Sequence, residues 1–267
     1  MTETLHDTRT RPIHGAPFKR ILCAVDGSRE AGVALDHAIA LAGADARITV
    51  AAIWSEGSPL ARSAWDVVDH AMAAALSAGA RASPRLIQAP HVADALLATA
   101  LGHDLLVIGV RPHSRVRGVL AADVSTAMVH RAACSVLLAR PKPLAAGVLA
   151  ATDGLPRSRS ALTAATLVAN RLDAPMTVLH VRERDDRERS RELAAELTNA
   201  RALLGRELCY VTDDGGTAAR ILAAATDASV GLVVTGSAGR RGLAALGSTS
   251  ERVAHQAPCS VLIVRGR

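Results

Sequence analysis

Apolar residues fall along this chain in short unbroken runs rather than in alternation with polar ones. They occupy 20–25, 47–53, 85–88, 104–109 and 135–139, and again 147–152, 176–181, 207–211, 231–236 and 260–264. Runs of this length without polar alternation predict strands covered on both faces. Between them lie stretches rich in Ala and Leu, such as 29–43, 157–172 and 187–205, with helical spacing and strong helix formers. Strand and helix thus alternate, which predicts an α/β fold with a doubly wound parallel sheet and right-handed crossovers. On such sheets ligands bind beyond the carboxyl ends of the strands, where the strand order reverses. The residues that follow the first and fourth strands are therefore the ones to read for function.

The pattern occurs twice. RILCAVDGS at 20–28 answers GVLAATDG at 147–154, DLLVIG at 104–109 answers GLVVTG at 231–236, and VHRAACSVLLAR at 129–140 answers AHQAPCSVLIVR at 254–265. The offset is 127 from Asp26 to Asp153 and from Gly109 to Gly236, and 125 from Cys134 to Cys259. A near-constant offset over three ordered blocks marks one unit written twice. This predicts a tail over 1–17, a first copy over 18–141 and a second over 142–267, each a Rossmann-like domain with a five-stranded parallel sheet, joined near Arg140-Pro-Lys-Pro143.

Composition narrows the function. With 267 residues, 49% of them hydrophobic and 21% charged, the chain can bury two real cores. Its only aromatic residues are Phe18, Trp54, Trp65 and Tyr210, so the base-stacking mode of single-strand nucleic-acid binding lacks its platform. The net charge of +6 is spread out and mixed in sign, which fits a solvated surface rather than a nucleic-acid footprint. No apolar run is long enough for a membrane span, and the N-terminal segment has no apolar core of a signal peptide; a cytoplasmic location is expected. Cys23, Cys134, Cys209 and Cys259 show no metal or redox spacing and read as small buried hydrophobes.

The candidate chemistry lies at the strand ends. In the second copy the first strand runs into Asp153-Gly154. The fourth runs into Gly236 and Gly239, and Gly247-Ser248-Thr249-Ser250 follows, opening a helix. Glycines let backbone approach a phosphate, and a helix N-terminus offers free N–H groups and the positive end of its dipole. Taken singly, Ser248 reads equally as a helix cap and the glycines as turns. Their combination after a buried strand, opposite a strand-end Asp, favours a phosphate.

Here the sequence resembles the universal stress protein family in a tandem form. The resemblance covers 18–265 and rests on Asp26-Gly27-Ser28, Asp153-Gly154, TVLHV at 177–181, VVTGSAG at 233–239, GSTSERV at 247–253 and APCSVLIV at 257–264. It implies ATP or a related adenine nucleotide as ligand, with Mg²⁺ carried through the phosphates. Asp153 would contact the nucleoside, Val181 would line the adenine pocket, and Gly236, Gly239, Gly247, Ser248, Thr249 and Ser250 would cradle the phosphates. ATP-binding members of the family carry Gly, two residues, Gly, nine residues, then Gly-Ser or Gly-Thr. Here seven residues separate Gly239 from Gly247. A missing pair shifts the next helix start by ~3 Å if taken from helix and by up to ~7 Å if taken from extended loop. Arg240 and Arg241 could reach the phosphates or remain exposed loop arginines.

The first copy keeps the spacing of nine but places Pro112, Ala122 and Asp123 where the family has Gly, Gly and Ser. Pro112 lacks an N–H, and Asp123 sets a carboxylate where a phosphate oxygen would lie. Like charges at ~4 Å cost about 1 kcal/mol even in water, so no nucleotide is expected there. Arg111, Arg115 and Arg117 read as a solvated basic loop, with another anion as the alternative. His180 reads as packed or capped rather than as a pocket residue. There is no nucleophile elbow, P-loop, HExxH or clustered metal-ligand set. With no general base to name, the expectation is not an enzyme, or at most slow ATP hydrolysis. A nucleotide-free interaction or chaperone-like scaffold is the alternative. The resemblance also implies that the two closing strands pair, here within one chain as a pseudo-dimer, and a homodimer of the whole chain is compatible with the pattern.

Overall fold

The structure, a computed structural model, describes residues 17–58, 62–111, 121–155, 158–182, 189–237 and 249–266. The first copy runs β1 (Arg20–Ala24), α1 (Arg29–Leu41), β2 (Arg47–Trp54), α2 (Ala64–Ser77), β3 (Ala82–Gln88), α3 (Val92–Ala100), β4 (Leu105–Gly109), α4 (Ala121–Arg131) and β5 (Ser135–Ala139). After a short 3-10 turn, the second runs β6 (Val148–Thr152), α5 (Arg159–Leu172), β7 (Met176–Arg182), α6 (Arg189–Leu204), β8 (Cys209–Asp214), α7 (Thr217–Ala225), β9 (Leu232–Gly236), α8 (Thr249–Gln256) and β10 (Ser260–Val264).

The strands form one ten-stranded sheet in the order β3-β2-β1-β4-β5-β10-β9-β6-β7-β8. Within each copy every pairing is parallel, and the order reverses between β1 and β4 and between β6 and β9. Helices α1, α2, α5 and α6 supply one apolar layer and α3, α4, α7 and α8 the other. Both faces are therefore covered, and β1, β4, β5, β9 and β10 read as continuous apolar runs because nearly every side chain in them is buried. The edge strands depart from the expected bounds. β3 begins at Ala82, before the apolar run, and includes Pro84; β8 extends to Asp214 and is mostly exposed. An edge strand needs no outward N–H partner, so it tolerates proline and polar residues that hide it from a hydrophobic pattern.

The copies meet where β5 and β10 pair antiparallel, with Leu138 opposite Val261, Leu137 opposite Leu262 and Val136 opposite Ile263. Beyond this joint the copies exchange arginines. Arg140 donates its N–H to Ser260 Oγ at 3.0 Å, and Arg265 donates its own to Ser135 Oγ at 3.2 Å. The Arg140 guanidinium donates to Cys259 O at 3.0 Å and to Ala254 O near the end of α8; that of Arg265 donates to Val129 O near the end of α4. Each cation thus caps the other copy's last helix at its negative pole. Burial lowers the Arg140 pKa to about 10, which leaves it charged at neutral pH. A further link joins His130 Nε2 on α4 to Glu251 Oε1 on α8 at 3.1 Å.

The expectation of four buried cysteines needs one correction. Cys23, Cys134 and Cys259 are buried, and burial pushes the thiols of the first two up to about 12 and about 11. Cys209 is exposed, because it lies on the edge strand β8.

Candidate functional site

At the carboxyl end of β6 the chain turns on Asp153. Its Oδ1 accepts the Leu155 N–H at 3.1 Å, and Gly154 adopts φ +69°, a left-handed conformation open to glycine. The same device follows β1, where Asp26 Oδ1 accepts the Ser28 N–H at 3.0 Å and Gly27 has φ +80°. The Asp-Gly pair is therefore first a turn, present in both copies. Below it, Thr152 Oγ1 accepts the Gly154 N–H at 3.1 Å and lies 2.8 Å from Ser158 Oγ, which fixes the entry to α5.

Thr152 stands in register with His180 on β7; beyond it Asp153 leaves the sheet, while Val181 stays in β7 opposite Asp213 of β8. Val181 is buried against the layer containing α7 and α8. His180 alternates to the opposite face, is buried, and has Nδ1 3.2 Å from Thr152 O. It is a packed residue, as expected.

Across the switch point β9 ends at Gly236. Thr249 and Ser250 open α8, and Ser250 Oγ donates to Gly236 O at 2.7 Å. That bond ties the helix start to the strand end and commits the Ser250 proton, leaving its oxygen as an acceptor. Gly239, Gly247 and Ser248 lie outside the described residues, as do Pro112, Arg115, Arg117, Arg240 and Arg241. Of the eight expected contacts the structure thus brings Asp153, Val181, Gly236, Thr249 and Ser250 to one end of the second copy.

In the first copy the strand-end glycine has a packing role. A Cβ on Gly109 would lie 2.1 Å from Glu30 O and 2.8 Å from Ala31 N, so the start of α1 packs directly on it. Arg111 pairs with Glu30 at 3.5 Å and is largely exposed. Arg111 is thus a solvated surface arginine.

Sequence reasoning passed over two groups near the site. Thr235, one residue before Gly236, is buried and its hydroxyl has no hydrogen-bond partner. It lies on the same face of β9 as Val233, which packs in the α7–α8 layer, and the first copy has Ile108 at the matching position. A hydroxyl inside an otherwise apolar strand was the available signal. The second is Glu196 on α6, 3% exposed, with both carboxylate oxygens lacking hydrogen bonds and Arg159 Nε 3.8 Å away. Burial raises its pKa, Arg159 opposes this, and Asp153 and Glu192 add to it. Among the described residues no group of His, Cys, Asp or Glu is placed to hold a metal ion, and no helix is long and apolar enough to cross a membrane.

The described fold can be set beside known proteins. No curated protein matches the chain. Among solved structures, a universal stress protein from Archaeoglobus fulgidus DSM 4304 is 21% identical, with a TM-score of 0.74 over 92% of this chain and 98% of its own. A protein of Pseudomonas aeruginosa UCBPP-PA14 assigned to the same family is 18% identical, with a TM-score of 0.71 over 93% of each chain. At these identities the likeness is one of fold. A universal stress protein solved in complex with cAMP is 25% identical over 46% of this chain and 97% of its own, at a TM-score of 0.40. The model of the universal stress protein family matches residues 17–140 and again 147–265. The chain therefore belongs to the universal stress protein family, with the family's unit present twice.

Proposed function

We propose that the second copy binds ATP or a related adenine nucleotide, with Mg²⁺ carried by the phosphates, and that the protein acts as a nucleotide-responsive stress protein rather than an enzyme. The observation that carries this is the meeting of two groups at the switch point between β6 and β9. On one side stand Asp153 and Val181; on the other stand Gly236 and the start of α8. Asp153 has a carboxylate suited to a ribose hydroxyl, Val181 an aliphatic wall for adenine, and α8 a helix N-terminus for phosphate. In the first copy's sequence Asp123 stands where the family has its Ser, and a carboxylate of that kind opposes a phosphate. No described side chain stands out as a general base, so at most slow hydrolysis is expected.

The scaffold reading draws on different observations. The Asp-Gly turn, the Gly109 contact with α1 and the Ser250–Gly236 bond each satisfy a structural need without a ligand. The two readings separate on a titration of the full chain with a fluorescent ATP analogue. Saturable binding that Gly239→Val weakens at least tenfold is expected. No saturable binding, or binding indifferent to that change, leaves the scaffold reading.

A further inference from the structure

We propose that the cleft between the two copies, at the amino-terminal ends of the first copy's strands, is a second binding site, and that it takes a phosphate-rich small anion. It lies at the same end of the sheet as the nucleotide site, because β5 and β10 run antiparallel and Val264 pairs with Gly236. It is lined by the first turns of α5 and not by α8, and it does not depend on that reading. The cleft has a volume of ≈ 1170 Å³. One wall comes from the starts of β1, β2 and β5, the other from the first turns of α5 and the end of β10.

The two copies are unequal beside the joint. On the side away from the cleft His37 of α1 is buried and its Nε2 lies 3.0 Å from Ser260 Oγ, the hydroxyl that also accepts the Arg140 N–H. The repeat offset of 127 puts Ala164 of α5 where His37 stands. On that side Ser135 Oγ accepts the Arg265 N–H, with a methyl group in place of the imidazole, and both Ser135 and Ala164 line the cleft.

The polar groups around this space are mostly donors. Five cationic side chains, Lys19, Arg20, Arg47, Arg159 and Arg265, face two carboxylates, Asp45 and Asp104. Asp104 is already engaged. It accepts the N–H groups of Lys19 at 3.1 Å and Arg20 at 3.0 Å and the Arg20 guanidinium at 3.0 Å, and these bonds hold its carboxyl below the usual range. Arg265 is engaged too, with Val129 O. That leaves Lys19 and Arg47, both exposed, against Asp45, with Arg159 exposed too and its Nε 3.8 Å from Glu196. Exposed hydroxyls of Ser160 and Thr163 on α5 add neutral donors. Guanidinium groups and hydroxyls around a concave space suit the many acceptor oxygens of a phosphate-rich anion.

The test is a calorimetric titration of the full chain with sodium tripolyphosphate at low ionic strength. The expected result is saturable binding that Arg47→Glu with Arg159→Glu weakens at least tenfold. Arg47→Gln with Arg159→Gln is the milder pair, expected to weaken it less. Reversing two arginines outside the cleft, Arg81→Glu with Arg201→Glu, is expected to leave binding within twofold. Absence of saturable binding overturns the proposal. So does an equal loss in the control pair, which marks non-specific attraction, and so does loss on Gly239→Val with none on the cleft pairs, which places the probe at the strand-end site instead.

Discussion

Single residues in this protein carry their turn or packing role first and any ligand role second. Asp153 shows the order: its carboxylate closes the turn after β6 at the carboxyl end of the second copy's strands. The motif made Asp153, Val181 and Gly236 legible in the sequence because spacing after a strand is a local property. Glu196 was not legible, since a Glu within a charged helix reads as solvent-facing until the packing of α5 on α6 buries it. Its raised pKa means that the folded chain holds this proton to higher pH than the unfolded chain. The stability it contributes is complete below the unfolded value of ~4.3 and is lost as pH rises through the folded value. Glu196→Gln removes the charge while keeping the shape. It is expected to raise Tm at pH 7 by about 2–4 °C, equivalent to about 1 kcal/mol in a chain of this size, with the gain shrinking toward pH 4. Thermal melts at the two pH values check this, and a lower Tm at pH 7 contradicts it.

Among the elements, the central strands were legible and the edges were not. β5 and β10 have the bounds that their apolar runs predict, because both of their faces are covered. β3 and β8 extend into polar sequence because one side of each has no strand to pair with. The pairing of β5 with β10 was what the family resemblance implied, and it covers two apolar strands that would otherwise stand at sheet edges. The arginine exchange did not follow, since Arg140 and Arg265 looked like the polar ends of their strands, and only the antiparallel joint shows which helix each one caps. Leu262 is fully buried at this joint, opposite Leu137. Leu262→Lys places an ammonium where no partner stands and is expected to cost about 3–5 kcal/mol. Chemical denaturation measures this directly; a loss below about 1 kcal/mol would show that the joint contributes little.

In the whole molecule the two copies share a fold and differ in what they leave open. The second copy carries the strand-end residues suited to a nucleotide, and the first replaces them with Pro112, Ala122 and Asp123. Across the pseudo-twofold the first copy fills its side of the joint with His37 while the second leaves a cleft beside Ala164. The repeat was legible as a near-constant offset, and so were the altered residues of the first copy's motif. The cleft was not, because it depends on which helix of one copy faces which strand of the other. Inequality of the copies is the central claim, and the stoichiometry of ATP binding tests it most directly. Isothermal titration of the full chain with MgATP is predicted to give one adenine-dependent site per chain, abolished by Gly239→Val and unchanged by Pro112→Gly. Two equivalent sites per chain, or one that survives Gly239→Val, would contradict the account.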